Sequence, residues 1–484
     1  MAIKSKSTTS NMTGDIVIIG AGGAGLAAAV SAAESGARNI IVLEKTAKPG
    51  GNSLNIGCIF AVNSPTQKRM GIKASEDVAF HDKMAHCSWR ANARLIRNTI
   101  NISGDVIQWL EKKGVMFKHM MVPFFVSSAP RVAHDVAVGQ FGATGRKVID
   151  TLSNECKNNG IRILNNMRAQ KITIGSDHKS FQVTADNKDG NILINTKAVV
   201  LSTGGFGGNR DMVNKYFPTF GEFSTGSVPQ VTGDGLVMAE ELGAIIDDQV
   251  ALLLLGPFPA FNMGMVTPNI IYVNKEGERY YDESAQLNNY NPDDVANTVS
   301  RQRSKTSYAV FDAKLKESIG QRSGDISGMG KANKDTLDKE FSKAVAEGKA
   351  IVSDSWDKIA DYIGAEPQVL KSTIEQYNTF CDYGYDADFC KDPQYLIALR
   401  TPPFYAVKCQ PGINTTFGGI KINHRTEVLN KQEMPITGLY AVGDNAGSWA
   451  PATYSHKYPG SAASFALCSG YIAGKNVAKY VLTL

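Results

Sequence analysis

The chain has 484 residues, 51 basic side chains against 46 acidic ones, and a formal net charge of +5. That length buries a large core and predicts two domains, while the near-balanced charge, with no Lys/Arg cluster, excludes a nucleic-acid or polybasic membrane partner. No apolar run reaches the roughly 18 residues of a membrane span, the start lacks the apolar stretch of a signal peptide, and the seven cysteines show no Cys-x-x-Cys pairing for zinc, iron–sulfur or c-type haem, so the expected protein is soluble, cytoplasmic and metal-free, with free thiols.

Residues 1–12 are polar and read as a disordered lead. The apolar run Ile16–Ile19 predicts a buried parallel strand that stops on Gly20-Ala21-Gly22-Gly23-Ala24-Gly25. Small residues from Ala24 to Ala33 then predict a helix that can press close to the sheet. Gly20 permits the tight turn, Gly22 lets backbone approach a pyrophosphate, and Gly25 clears space between helix and strand. The helix start offers unpaired N–H groups and a positive dipole end to phosphates. A second strand, Asn39 to Leu43, ends at Glu44, whose carboxylate can accept from both ribose hydroxyls. Strand, glycines, helix, strand and acid together specify a dinucleotide site, with Gly20, Gly22, Gly23, Ala24, Gly25 and Glu44 as its residues.

Three later segments extend that site. Lys45 is followed by Pro49-Gly50-Gly51-Asn52-Ser53, a glycine turn suited to run along the far side of a flavin. A strand at Ala198–Leu201 leads into Ser202-Thr203-Gly204-Gly205, and a late strand ends on Gly443-Asp444, beside an expected ribityl–pyrophosphate stretch. Segments so far apart that each supply backbone suit a long, two-ended cofactor. Between them, Gln321–Lys334 is rich in Gly and Ser and reads as a mobile surface loop. Ile351–Tyr377 has helical periodicity, with Trp356, Ile359, Leu370 and Ile374 on the apolar face.

Taken with Trp109-Leu110, Gly114-Val115, Thr144-Gly145, Thr232-Gly233-Asp234-Gly235, Val273-Asn274, Arg279-Tyr280, Asp282-Glu283, Pro402-Pro403-Phe404-Tyr405, Thr416-Phe417-Gly418-Gly419-Ile420 and Gly470-Tyr471-Ile472-Ala473-Gly474, these segments cover the chain nearly end to end. The chain resembles the fumarate reductase/succinate dehydrogenase flavoprotein family, which also contains 3-ketosteroid dehydrogenases and urocanate-type reductases. The resemblance implies an α/β fold, with a discontinuous Rossmann-type FAD-binding domain at 13–235 and 361–484. It also implies an inserted α+β capping domain at 236–360, with substrate between cap and flavin. FAD is the implied cofactor, and Ser461 joins the residues expected to hold it. Covalent attachment in some relatives needs a His after the Gly-Gly-Asn-Ser turn; Leu54–Ile59 has none, so non-covalent binding is expected.

The chain departs from fumarate reductase where a dianion would be clamped. The stretch that should hold a His reads Val250-Ala-Leu-Leu-Leu-Leu-Gly-Pro-Phe258, and Leu287 stands at or beside the place of the proton-donating Arg. Leu254, Phe258 and Phe261 are expected in an apolar pocket wall with Leu287, and His134 near its mouth. His456-Lys457-Tyr458-Pro459-Gly460 resembles the ketosteroid dehydrogenases, in which the Tyr before Pro-Gly polarises a substrate carbonyl. Tyr458 is thus the candidate hydrogen-bond donor, with His456 and Lys457 as alternative proton donors.

The reading is an FAD-dependent oxidoreductase that reduces a hydrophobic cyclic or aromatic substrate, isoflavonoids included, by hydride transfer from flavin N5. Alternatives are α,β-dehydrogenation of a cyclic ketone, such as a ketosteroid or 4-oxocyclohexanecarboxylate, and a non-catalytic FAD-binding protein. With one dinucleotide motif and no fused redox domain, electrons are expected from NAD(P)H or a separate redox partner.

Overall fold

The computed structural model describes residues 10–121, 131–137, 142–177, 179–188, 190–247, 251–259, 268–285, 292–321, 334–451, 454 and 457–484. Phe261, Leu287 and His456 lie outside the described residues, as does most of the expected loop at 321–334.

Alternating apolar runs and glycine turns build a parallel core. Its strand order is Pro435–Ala441, Gly190–Leu201, Ser10–Ile19, Ile40–Glu44 and Arg162–Asn165, with Glu427–Leu429 antiparallel on the outer side of Pro435–Ala441. Strand Ser10–Ile19 pairs in parallel on both sides, Ile16 opposite Ile40 and opposite Ala198. Burial on both faces explains why Ile16–Ile19 reads as an unbroken apolar run. The strand starts earlier than expected. Ser10, Asn11 and Met12, assigned above to the lead, pair with Ile192, Leu193 and Ile194, because the partner strand extends that far back.

Helix Gly23–Glu34 packs between this sheet and the C-terminal helix Ser461–Leu482. Small residues set that spacing. A Cβ on Gly470 would stand 2.2 Å from the Ala24 carbonyl oxygen.

A second sheet of six strands is organised on the long strand Phe404–Phe417. Ser307–Asp312, Ala350–Ser353 and Ala251–Pro259 all pair antiparallel to it. Its core includes Tyr272, Phe311, Ile359, Leu370, Ile374, Tyr377 and Val407. The expected helical stretch at 351–377 is a strand followed by two helices, Trp356–Ile363 and Pro367–Tyr383, split where Gly364 takes a left-handed cap and Pro367 starts the next turn. Leu370, Ile374 and Tyr377, assigned above to the flavin-binding half, bury their side chains in this second core. By packing, this unit runs on through about Cys409.

That core holds a charged knot. Arg279 pairs with Glu283 and Asp386, both at 2.9 Å, and Lys391 meets Glu283 at 3.2 Å, all buried. Asn274 Oδ1 accepts from the N–H groups of Glu276 and Glu278 and closes the adjoining turn. Arg279 and Glu283, with Asn274 in the adjoining turn, therefore brace this second core. A third, small sheet joins Ile59–Phe60, Ala133–Asp135 and His119–Met121. Among the described residues no helix is long and apolar enough to cross a membrane, and no group of side chains is arranged to hold a metal.

Candidate active site

The carboxyl ends of the parallel strands open on one cleft. Gly20, Gly22, Gly23, Ala24, Glu44, Lys45, Gly50, Gly51, Asn52, Ser53, Thr203, Gly204, Gly443 and Asp444 all line it. Four segments remote in sequence meet there because their strands are neighbours: Leu201 lies beside Ile19, and Ala441 beside Leu201.

The glycines divide by what they face. Gly20 has φ +107°, and its Cβ would meet the Ser202 carbonyl oxygen at 2.4 Å. A Cβ on Gly25 would stand 2.0 Å from the Gly20 carbonyl oxygen, so Gly25 serves packing and lies behind the cleft. A Cβ on Gly205 would likewise meet Thr416 Oγ1 at 2.2 Å, so this glycine also serves packing. At Gly22 the nearest protein atom to a Cβ is 3.6 Å away, and at Gly51 there is none within 4 Å. Space without a side chain at the start of a helix is a cradle for a phosphate group.

Polar groups set the remaining shape. Glu44 accepts from the Ala21 N–H at 3.0 Å through one oxygen and from Thr46 N–H and hydroxyl at 2.8 Å through the other. This fixes the carboxylate at the cleft end expected for a ribose. Lys45 donates to Asp234 and Thr232, both at 2.9 Å. Burial pulls the Asp234 carboxyl upward, and the Lys45 bond and charge outweigh it, holding the group below the ordinary value. Ser53 Oγ accepts from the Gly23 N–H at 3.0 Å, and Asn52 bridges Thr415 and the Val228 N–H.

Asp444 faces the cleft with Thr415 as its hydrogen-bond donor at 3.3 Å; burial raises its carboxyl to about 7. A carboxyl near half-protonation can accept from or donate to a sugar-alcohol hydroxyl. These residues fit FAD: a phosphate cradle in the middle, a ribose acid at one end, and Asp444 with the Gly50–Ser53 turn toward the other. Sequence reading missed Asn445. Its Oδ1 accepts from both the Thr203 N–H and hydroxyl, while Thr203 Oγ1 accepts from the Gly235 N–H. The adjoining Gly443-Asp444 motif was the available signal.

Thr415, which bonds Asn52 and Asp444, stands two residues before Phe417, a member of a large buried apolar cluster. Phe60, Leu252, Phe417, Trp449, Tyr454, Tyr458 and Phe465 belong to one buried cluster. Trp449 stacks on Phe465 at 4.4 Å, and Phe417 on Tyr454 at 5.4 Å. Leu254 and Phe258 sit on strand Ala251–Pro259, opposite Ile413 and Gln410; their side chains lie outside the description.

Other candidates sit differently from expectation. His134, expected near a pocket mouth, is fully enclosed: Nε2 shares a 2.6 Å bond with Ser64, and Nδ1 faces the Ile59 and Val132 carbonyls at 3.2 Å. Burial lowers its pKa to about 4, so it is neutral at physiological pH and far from solvent. Ser461 donates to the Tyr458 carbonyl at 2.5 Å and accepts from Lys83 at 2.9 Å, and it is not among the residues lining the cleft. The Tyr458 ring stands edge-on to Phe60 at 5.4 Å, and its hydroxyl donates to Asp82 at 2.5 Å. Lys457 reaches the same Asp82 oxygen at 2.7 Å.

Comparison with known proteins agrees with this geometry. The FAD binding domain family matches residues 15–457. A vinyl phenol reductase of Lactiplantibacillus plantarum is 30% identical, with 96% of each chain covered. A fumarate reductase (cytochrome) of Shewanella frigidimarina is 28% identical over 97% of this chain and 77% of its own. An NADH:fumarate oxidoreductase of Klebsiella pneumoniae is 25% identical, and this chain spans 48% of its length. Among solved structures, an open flavocytochrome c3 fumarate reductase superposes with TM-score 0.74 at 27% identity, covering 97% of this chain and 79% of that one. A 3-ketosteroid-Δ4-(5α)-dehydrogenase from Rhodococcus jostii shares the fold with TM-score 0.76 at 21% identity, covering 98% and 99%. With the cleft, its strand order and these matches in agreement, the chain belongs to the FAD binding domain family, as a fumarate reductase-like, FAD-dependent oxidoreductase acting on carbon–carbon double bonds.

Proposed function

We propose that the chain reduces a carbon–carbon double bond in a hydrophobic aromatic or cyclic substrate, with vinyl phenols as the leading class and isoflavonoids that keep an olefinic bond as the narrower candidate. The observation that carries this reading is that Thr415, bonded to Asn52 and Asp444 of the cleft, stands two residues before Phe417, which joins Phe60, Leu252, Trp449 and Tyr454 in a buried apolar and aromatic cluster. An isolated dicarboxylate would lose several kcal/mol there without cationic partners, whereas a flat ring gains about 25 cal/mol for each Å² it buries. A 30% identity to a vinyl phenol reductase, over 96% of each chain, supports the same class.

Bound FAD supplies the hydride, and Tyr458 is our proposed donor of the second hydrogen. Electrons enter from NADH or a separate reduced partner; the likeness to an NADH:fumarate oxidoreductase of about twice this length supports that type of donor. FAD is held non-covalently, since Leu54–Ile59 offers no His. Burial raises the Cys58 thiol to about 12, which keeps it protonated.

The test is anaerobic photoreduction followed by mixing with vinyl phenol, an isoflavonoid that keeps an olefinic bond, a ketosteroid or fumarate. Reoxidation by an aromatic acceptor and not by fumarate is expected. Fumarate reoxidising the flavin at a comparable rate would overturn the substrate class. Acid precipitation of the same sample should release the flavin into solution.

A further inference from the structure

The environment of Tyr458 presents a difficulty for any donor role. Its one phenolic proton is already directed at Asp82, at 2.5 Å, and the ring is almost fully buried. Once that proton has been given to a substrate carbon, water cannot readily replace it. Asp82 has a second partner on the solvent side, Lys457, at 2.7 Å, with half of the lysine side chain exposed.

We propose that Lys457, Asp82 and Tyr458 form a proton relay in which Asp82 is a positioning residue that recharges the phenol from solvent through Lys457; this rests on the reading of Tyr458 as donor. The step balances. The carbanion left by hydride addition takes the Tyr458 proton, which forms the C–H bond and leaves a phenolate. Asp82 passes one proton to the phenolate while taking one from the Lys457 ammonium, and the resulting amine is reprotonated by water.

Charge placement supports the order of the relay. Burial first, and then Asp82, raise the phenol above its ordinary range, so Tyr458 rests neutral and loaded. Burial pulls the Asp82 carboxyl upward, but Lys457, Tyr458 and His81 outweigh it and keep it ionised between the two donors. Among the described residues, two further cations of this region are committed elsewhere. On the same helix, Lys83 turns to Ser461 at 2.9 Å, and on the neighbouring helix Arg97 pairs with Asp77 at 2.7 Å.

The relay separates a first turnover from later ones. In Asp82→Asn holoenzyme, photoreduced and mixed once with vinyl phenol, flavin reoxidation should stay within about 3-fold of wild type. Steady-state turnover, driven by dithionite-reduced methyl viologen, should fall at least 10-fold, with partial recovery in Asp82→Glu and a similar loss in Lys457→Gln. Tyr458→Phe should lose both rates. If Tyr458→Phe keeps both, the donor reading fails. If Tyr458→Phe loses both while Asp82→Asn keeps its steady-state rate, the relay fails and the donor reading stands. An Asp82→Asn protein that loses its first turnover or its FAD has a structural carboxylate, which also overturns the relay.

Discussion

Gly22 separates a ligand-binding glycine from a structural one more cleanly than any other position. Its backbone, φ −77° and ψ −178°, is open to any residue. A Cβ there would meet only Gly50 O at 3.6 Å and Ser53 Oγ at 3.7 Å, both ordinary contacts. Gly22→Ala should therefore fold. The smaller entropy of the unfolded chain stabilises by about 0.4–1 kcal/mol, and the weaker helix cap offsets some of it. The methyl group nevertheless projects into the cleft where the pyrophosphate would rest. Each hydrogen bond to a charged group that it prevents costs about 1.5–3 kcal/mol, so FAD affinity should fall at least 10-fold. The assay is quenching of flavin fluorescence on titrating FAD with apoprotein, alongside urea unfolding of that apoprotein. Gly25→Ala is the contrast, since its Cβ would overlap the Gly20 carbonyl at 2.0 Å and should cost stability with or without FAD. Unchanged FAD affinity in Gly22→Ala, or apoprotein destabilised as much as Gly25→Ala, would refute this account of the cradle.

Glu44→Ala should weaken FAD binding by about 1–3 kcal/mol, the cost of leaving a buried hydroxyl and the Ala21 N–H unpaired; unchanged affinity in the same titration moves the ribose elsewhere. Because burial raises the Asp444 carboxyl from 3.8 to about 7, the unfolded chain releases this proton first as pH rises. Its contribution to apoprotein stability is therefore complete below the lower value and lost as pH climbs through the upper one. Urea unfolding at pH 5 and pH 8 should show a drop that shrinks in Asp444→Asn, and an identical drop in both proteins sinks the assignment. Glu283→Gln leaves Arg279 and Lys391 buried with less compensation and should cost about 3–5 kcal/mol of stability; a cap that unfolds at the wild-type urea concentration would show that the knot is dispensable.

The first strand, its glycine turn, the following helix and Glu44 were legible in the sequence because they are local. A strand buried on both faces must be continuously apolar, a tight turn needs Gly20, and close helix packing needs Gly25. The same holds for the turn at Gly50–Ser53 and for Gly443-Asp444, which line the same cleft. What only tertiary structure decided depends on pairing between remote segments. Nothing near Leu370 or Tyr377 announces that their helix packs with strands 271–312, since amphipathic periodicity specifies a buried face and not the sheet beneath it. His134 carries the composition of a titrating group, yet enclosure by Ser64 and two carbonyls removes that role. Asp82 lies 376 residues from Tyr458 and has no motif of its own. A carboxylate becomes part of a relay only when the fold sets a phenol and an ammonium against it, and that juxtaposition is written in the contact, with no trace in local sequence.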